Sequence, residues 1–218
     1  MRRLALPRTT GRLLLAFLAG AALALPVAAG QQQYEPLSAS VRTALQSAVS
    51  DRAAPRLTFA DESRGEHWLT AMSRRLASRI PDPVYRRDLL VSIQYEATRA
   101  GLDPQLVLGL IQVESNFRKY ALSRAGARGY MQIMPFWTEL LGGAHDNLFH
   151  MRTNLRYGCT ILRHYLDIEQ GNLFRALGRY NGSLGRAEYP NRVLKAWRQW
   201  KYTPPPEVSV ADLDTPDR

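Results

Sequence analysis

The chain of 218 residues has a single cysteine, Cys159, so no intrachain disulfide can hold it together. Cys159 falls on an apolar helical stripe with Leu155, Leu162 and Leu166 and reads as a small buried hydrophobe rather than a nucleophile. Histidine is scarce too. His67, His145, His150 and His164 stand at no metal-ligand spacing, and neither a metal nor another cofactor is expected. Acidic residues are outnumbered 19 to 29, for a formal net charge of +10. That balance suits an anionic partner: cell-wall polymer, nucleic acid or a membrane surface. No nucleic-acid recognition motif is present, so a nucleic-acid partner is not expected. Convincing β alternation is absent. So is an apolar run of the roughly 17–25 residues that span a bilayer core.

The longest apolar run is short and lies near the start. Arg2, Arg3, Arg8 and Arg12 form a basic region, Leu13 to Leu25 an apolar stretch, and Val27-Ala28-Ala29 a set of small residues. Residues 1–30 read as a secretory signal peptide rather than an anchor. The expectation is a periplasmic protein beginning near Gly30 or Gln31, with no stable membrane insertion once the leader is cut. Removal leaves 25 basic against 19 acidic residues, a net charge of +6. Residues 31–65 read as a polar extension, partly helical or disordered. In it Leu37, Val41, Leu45 and Val49 recur every four residues and mark one short docking helix. Residues 203–218 are proline-rich and acidic and read as a disordered tail.

Between them, residues 66–202 read as one globular domain. Helices are expected at about 67–79, 83–100, 104–116, 134–141, 152–168, 172–180 and 189–200. Asp103-Pro104 supplies an N-cap and a first-turn proline. The helix these two residues open is apolar on nearly every side, which places it at the centre of a domain. The fold class is all-α: six to eight short helices around a buried central helix.

Glu114 ends that central helix. Val107, Leu110, Ile111 and Glu114 share a face. A carboxyl on a buried stripe is desolvated, and desolvation raises its pKa. An acid still protonated near neutral pH can protonate a leaving glycosidic oxygen. On periodicity alone, a glutamate reaching solvent or an arginine fits as well. The segments C-terminal to it favour the acid. Glu114-Ser115 leads to Ser123-x-x-Gly126-Ala127-x-Gly129-Tyr130-Met131-Gln132-Ile133-Met134-Pro135, then Asn154-x-x-x-Gly158, then Tyr180-Asn181.

In these motifs, their order and their spacing, the chain resembles the soluble lytic transglycosylase (SLT) domain family over about residues 85–200. The departures are Tyr130 for the usual leucine, Lys119 for a common proline, and Asn-Gly-Ser-Leu-Gly at 181–185. The resemblance implies a fold like goose-type lysozyme. It implies cleavage of the β-1,4 bond between N-acetylmuramic acid and N-acetylglucosamine in peptidoglycan, giving 1,6-anhydromuramic ends. Glu114 would be the catalytic acid and base. Ser123, Met131, Gln132, Tyr180 and Asn181 would bind substrate, with the Tyr180 hydroxyl near Glu114 or the reacting sugar. Two rival readings stand beside it. One is a hydrolytic muramidase, for which Glu139, Asp146 or Glu188 would supply a second acid. The other is a non-catalytic wall-binding component of a secretion or pilus assembly. A monomer is expected.

Overall fold

A computed structural model of the chain describes residues 32–50, 52–142 and 145–204. The expected leader at 1–30, and the expected tail beyond Pro204, lie outside the described residues. Eight helices and no strands appear among those described: α1 (Ala39–Ser50), α2 (Glu62–Leu76), α3 (Pro83–Arg99), α4 (Pro104–Glu114), α5 (Phe136–Leu140), α6 (Met151–Ile168), α7 (Leu173–Tyr180) and α8 (Glu188–Trp200). The all-α expectation holds. No helix among the described residues is long and apolar enough to cross a membrane.

The helix starts are set by local chemistry. Asp61, Asp82 and Asp103 sit just ahead of α2, α3 and α4, and each accepts a hydrogen bond from the backbone two residues on. Pro83 and Pro104 occupy first-turn positions where no N–H is needed. The Asp61 cap starts α2 five residues before the expected His67, because capping rather than apolar periodicity sets that boundary.

Helix α4 is the centre. Leu106, Val107, Leu108, Leu110 and Ile111 are buried, each contributing about 1.5–3 kcal/mol by leaving water. Its main neighbour is α8, whose stripe Tyr189, Val193, Ala196 and Trp200 is buried. The two backbones meet at Gly109, where a Cβ would stand 2.6 Å from the Trp197 nitrogen. Side chains clasp the pair: Trp197 Nε1 donates to Asp103 at 2.8 Å and Trp200 Nε1 to Gln112 at 2.7 Å. Helix α1 lies on α6, with Leu45 and Val49 buried. The carbonyls of Ala48 and Val49 accept from Arg99 (2.9 Å) and Arg156 (3.4 Å). Both guanidinium groups also hold the fully buried Glu96, at 2.9 and 3.3 Å. Buried Cys159 belongs to the core, and burial pushes its thiol pKa up, which suppresses the reactive thiolate.

Candidate active site

Glu114 is the last residue of α4, and the next three residues fix the helix end. The Ser115 hydroxyl donates to the Ile111 carbonyl at 3.1 Å. Asn116 and Phe117 then take consecutive left-handed conformations, φ 48° and 63°. Such backbone costs roughly 1–2 kcal/mol per residue without glycine. Tertiary contacts hold it: Arg79 Nε donates to Asn116 Oδ1 at 2.9 Å, and Phe117 packs edge-on to Trp200 at 5.6 Å. The turn takes the chain off the helix and leaves Glu114 facing a cavity.

The Tyr189 hydroxyl, from the first turn of α8, donates to Glu114 Oε1. Desolvation raises the Glu114 pKa to about 7; the Tyr189 hydrogen bond and the nearby Arg192 charge work in the opposite direction and are outweighed. The contrast with Glu96 shows why. Glu96 is fully buried and has two guanidinium groups within 3.3 Å. Glu114 has one neutral hydroxyl, and Arg192 acts on it only as a nearby charge. Glu114 is thereby built to hold a proton near neutrality.

The segment after Glu114 folds back as a tight hairpin. Arg128 and Ile133 exchange backbone hydrogen bonds, both 3.0 Å, around residues 129–132. Gln132 is left-handed at φ 51°, and its side-chain amide donates to Gly129 O (2.9 Å) and Ala121 O (3.1 Å). Ser123 Oγ accepts from the Ala127 N–H at 3.0 Å, which leaves its own proton to donate. Asn154 is the keystone of the hairpin. Its Oδ1 accepts from Met131 N, and its Nδ2 donates to Arg128 O and Leu148 O, all at 2.8 Å. Four residues on, Gly158 leaves room for Met131, whose sulfur lies 2.3 Å from where a Cβ would be. The Asn154-x-x-x-Gly158 motif thus fixes the backbone of the hairpin and seats its central side chain.

A cavity of about 220 Å³ gathers Glu114, Ser123, Gln132, Tyr180 and Asn181, five of the six expected residues. The sixth departs from expectation. The Met131 side chain is wholly buried in the core against α6, because Gly158 opens a slot for it, and does not line the cavity. Tyr180 lines the cavity, but its hydroxyl donates to the Met131 carbonyl at 2.8 Å. The hydroxyl bonded to Glu114 is Tyr189's instead. Asn181 is not left-handed (φ −90°); Gly182 takes that conformation at φ 65°, and Asn181 Nδ2 donates to Ser183 Oγ at 2.9 Å.

Ala127, Gln32, Tyr189 and Arg192 complete the wall, and the last three were not expected there. Tyr189 carries one sequence signal: it opens the buried α8 stripe, a place for a hydroxyl-bearing aromatic to reach inward. Its partner 75 residues away is invisible to any local pattern. Two departures from the family pattern meet in one cluster away from the acid. Tyr130 is buried with its hydroxyl 2.6 Å from that of Tyr85, and Lys119 Nζ lies 5.7 Å from the Tyr85 ring. A larger cavity of about 880 Å³ lies elsewhere, walled by Arg56, Glu66, Arg87 and Arg152 among others. Glu66 and Arg87 pair there with both side chains about half exposed, and the other acids that line it, Glu62 and Asp88, are exposed. Glu114, the acid whose pKa burial raises, faces the smaller cavity.

Comparison with known proteins agrees with this geometry. Residues 91–202 match the family described as the Transglycosylase SLT domain. A transglycosylase of Enterobacteria phage PRD1 is 36% identical over 101 residues, covering 43% of this chain and 37% of the phage protein. Membrane-bound lytic murein transglycosylase C of Haemophilus influenzae is 46% identical over 52 residues, 24% of this chain and 15% of that protein. Its counterpart in Actinobacillus pleuropneumoniae is 44% identical over 52 residues, 24% of this chain and 14% of that protein. The chain thus spans little more than a third of the phage protein and about a seventh of the other two. With the family match running through half the chain, from α3 to the end of α8 and across every motif around Glu114, the chain belongs to the transglycosylase SLT domain family.

Proposed function

We propose that the chain is a peptidoglycan lytic transglycosylase, cleaving the β-1,4 bond between N-acetylmuramic acid and N-acetylglucosamine without water. One observation carries the reading: a single desolvated carboxyl, Glu114, with a pKa near 7, faces the cavity with no second carboxylate among the described residues that line it. Protonated Glu114 gives its proton to the leaving oxygen. The substrate's own N-acetyl group stabilises the cationic sugar, with the Ser123 hydroxyl free to donate to it. Glu114, now a carboxylate, takes the proton of the C6 hydroxyl as that oxygen closes on C1. The attached hydroxyl outcompetes water through its high effective molarity. Tyr189 steadies Glu114 through both steps. Gln132 and Asn181 shape the wall, and the exposed Arg192 meets acidic groups of the muramyl peptides.

A muramidase would need a second acid at the cavity to activate water. Glu139 and Glu188 are exposed, Asp146 is bonded to the Tyr157 hydroxyl at 2.9 Å, and none of the three lines the cavity. No observation favours a non-catalytic assembly component. Export to the periplasm through a cleaved leader is part of the same proposal and rests on residues 1–30. Mass spectrometry of muropeptides released from purified wall tests the chemistry. The expected products carry 1,6-anhydromuramic ends, and Glu114→Gln releases none; new reducing ends would replace this reading with a hydrolase.

A further inference from the structure

Gln32 lies outside the family match, yet its side chain sits in the cavity with Glu114 and is only 5% exposed. Its carboxamide is held at both ends by the hairpin. Nε2 donates to the Gln132 carbonyl at 3.3 Å, and Oε1 accepts from the Met134 N–H at 3.1 Å. An outward carbonyl and an outward N–H two residues apart read one amide, N–H and C=O together. The residues after Gln32 are tied down along the same rim. The Tyr34 ring meets Phe136 edge-on at 5.9 Å, Glu35 pairs with Arg179 at 2.9 Å, and Leu37 packs on the core. The segment 32–37 is therefore a strap anchored at three points, with its first residue in the active site.

Every sugar of the proposed substrate carries an acetamido group, itself an amide with one N–H and one C=O. We propose that the strap is a built-in competitor: the Gln32 carboxamide occupies an acetamido-binding position and must leave before a glycan strand can seat there. The inference rests on the peptidoglycan reading above. The strap is poised to be displaced rather than locked. The Glu35–Arg179 pair is partly exposed, with 44% and 20% of the side chains accessible, and Tyr34 is mostly exposed. Ligand affinity is lowered by the fraction of molecules in which the position is filled, and freeing it restores that factor.

The test uses the mature chain and two readouts. One is binding of the tetramer of N-acetylglucosamine by calorimetry; the other is initial rate against wall concentration. Gln32→Ala removes the amide, and Glu35→Ala loosens its anchor without touching the cavity. Both variants should bind the tetramer more tightly, roughly 3–30-fold, and lower KM in step, and Glu35→Ala, off the cavity, should leave kcat near wild type. The Met134 amide, which donates to Gln32 in the free wild type, should exchange faster in Gln32→Ala and regain protection with the tetramer bound. Tetramer binding that is unchanged or weakened in both variants overturns the strap inference alone. It would mean that Gln32 supports the hairpin or completes the groove. The same binding comparison in a Glu114→Gln background needs no turnover, so the inference survives even if cleavage proves hydrolytic. Failure of every variant to bind the tetramer overturns the strap together with the reading it rests on.

Discussion

At the scale of the residue, the decisive contrast is between two glutamates, Glu96 and Glu114. Glu96 is balanced by two arginines, whereas Glu114 is deliberately under-compensated. The imbalance makes a stability prediction with a definite sign. The Glu114 pKa lies at about 7 in the folded chain against 4.5 for the free side chain. Between those values the folded state holds a proton that the unfolded state has lost, so stability falls as pH rises through that window. Below about pH 4.5 there is no penalty; above about pH 7 it is complete, on the order of 3 kcal/mol. Glu114→Gln removes an acid that must ionise in a dry place. Its thermal midpoint should therefore match wild type near pH 4 and exceed it at pH 8, measured by calorimetric melts across pH. An equal offset at both pH values would show that packing, not ionisation, separates the variants. Wild-type kcat/KM should fall as pH rises past about 7, where the acid loses the proton it must donate.

At the scale of the element, the hairpin 121–135 and the start of α6 act as one part. Asn154 holds the hairpin backbone and Gly158 seats Met131, so a change buried in α6 reaches the cavity wall. Gly158→Ala adds a Cβ that would stand 2.8 Å or less from three Met131 side-chain atoms, its own Cβ among them, so a rotamer change alone cannot relieve the contact. Overpacking of this kind costs about 1–3 kcal/mol, against a helix-propensity gain of up to about 1 kcal/mol. The melt should drop by several degrees and wall digestion by more than the lost folded fraction explains. Met131→Ala in the same chain should restore part of both, a coupling that a double-mutant cycle measures. This element also marks the limit of what the sequence discloses. Caps such as Asp82-Pro83 and Asp103-Pro104, and the apolar periods of α3, α4, α6 and α8, are local signals, so those helices are legible within a residue or two. Glu114 is legible because a charge interrupts an apolar stripe. Met131 is misplaced by sequence reasoning because a motif names a residue without saying which way its side chain points, and only Gly158 on another helix decides that. Tyr189 and Gln32 escape for a related reason: each meets the site across 75 to 102 residues of chain.

At the scale of the whole molecule, most of the arginine and lysine side chains among the described residues face outward. A basic surface attracts anionic polymers and makes such association dependent on salt. The same arginine-rich composition continues into the first twelve residues, where the basic region precedes Leu13–Leu25. Expressed with its own first thirty residues in a Gram-negative host, the chain should be recovered from the periplasmic fraction with an N-terminus near Gly30 or Gln31, read by N-terminal sequencing. Full-length chain in the membrane fraction would show that Leu13–Leu25 anchors rather than directs.

The narrowness of the 220 Å³ cavity has a consequence for proton traffic. In the proposed cycle, the proton that Glu114 gives to the departing sugar is replaced by the one it takes from the C6 hydroxyl. The ledger closes within a single turnover, and the acid is re-armed when the product forms. Such a site needs no water channel to the bulk and no relay of side chains to recharge it. The glycan itself can serve as the lid, sealing the pocket while the same proton inventory is handed back.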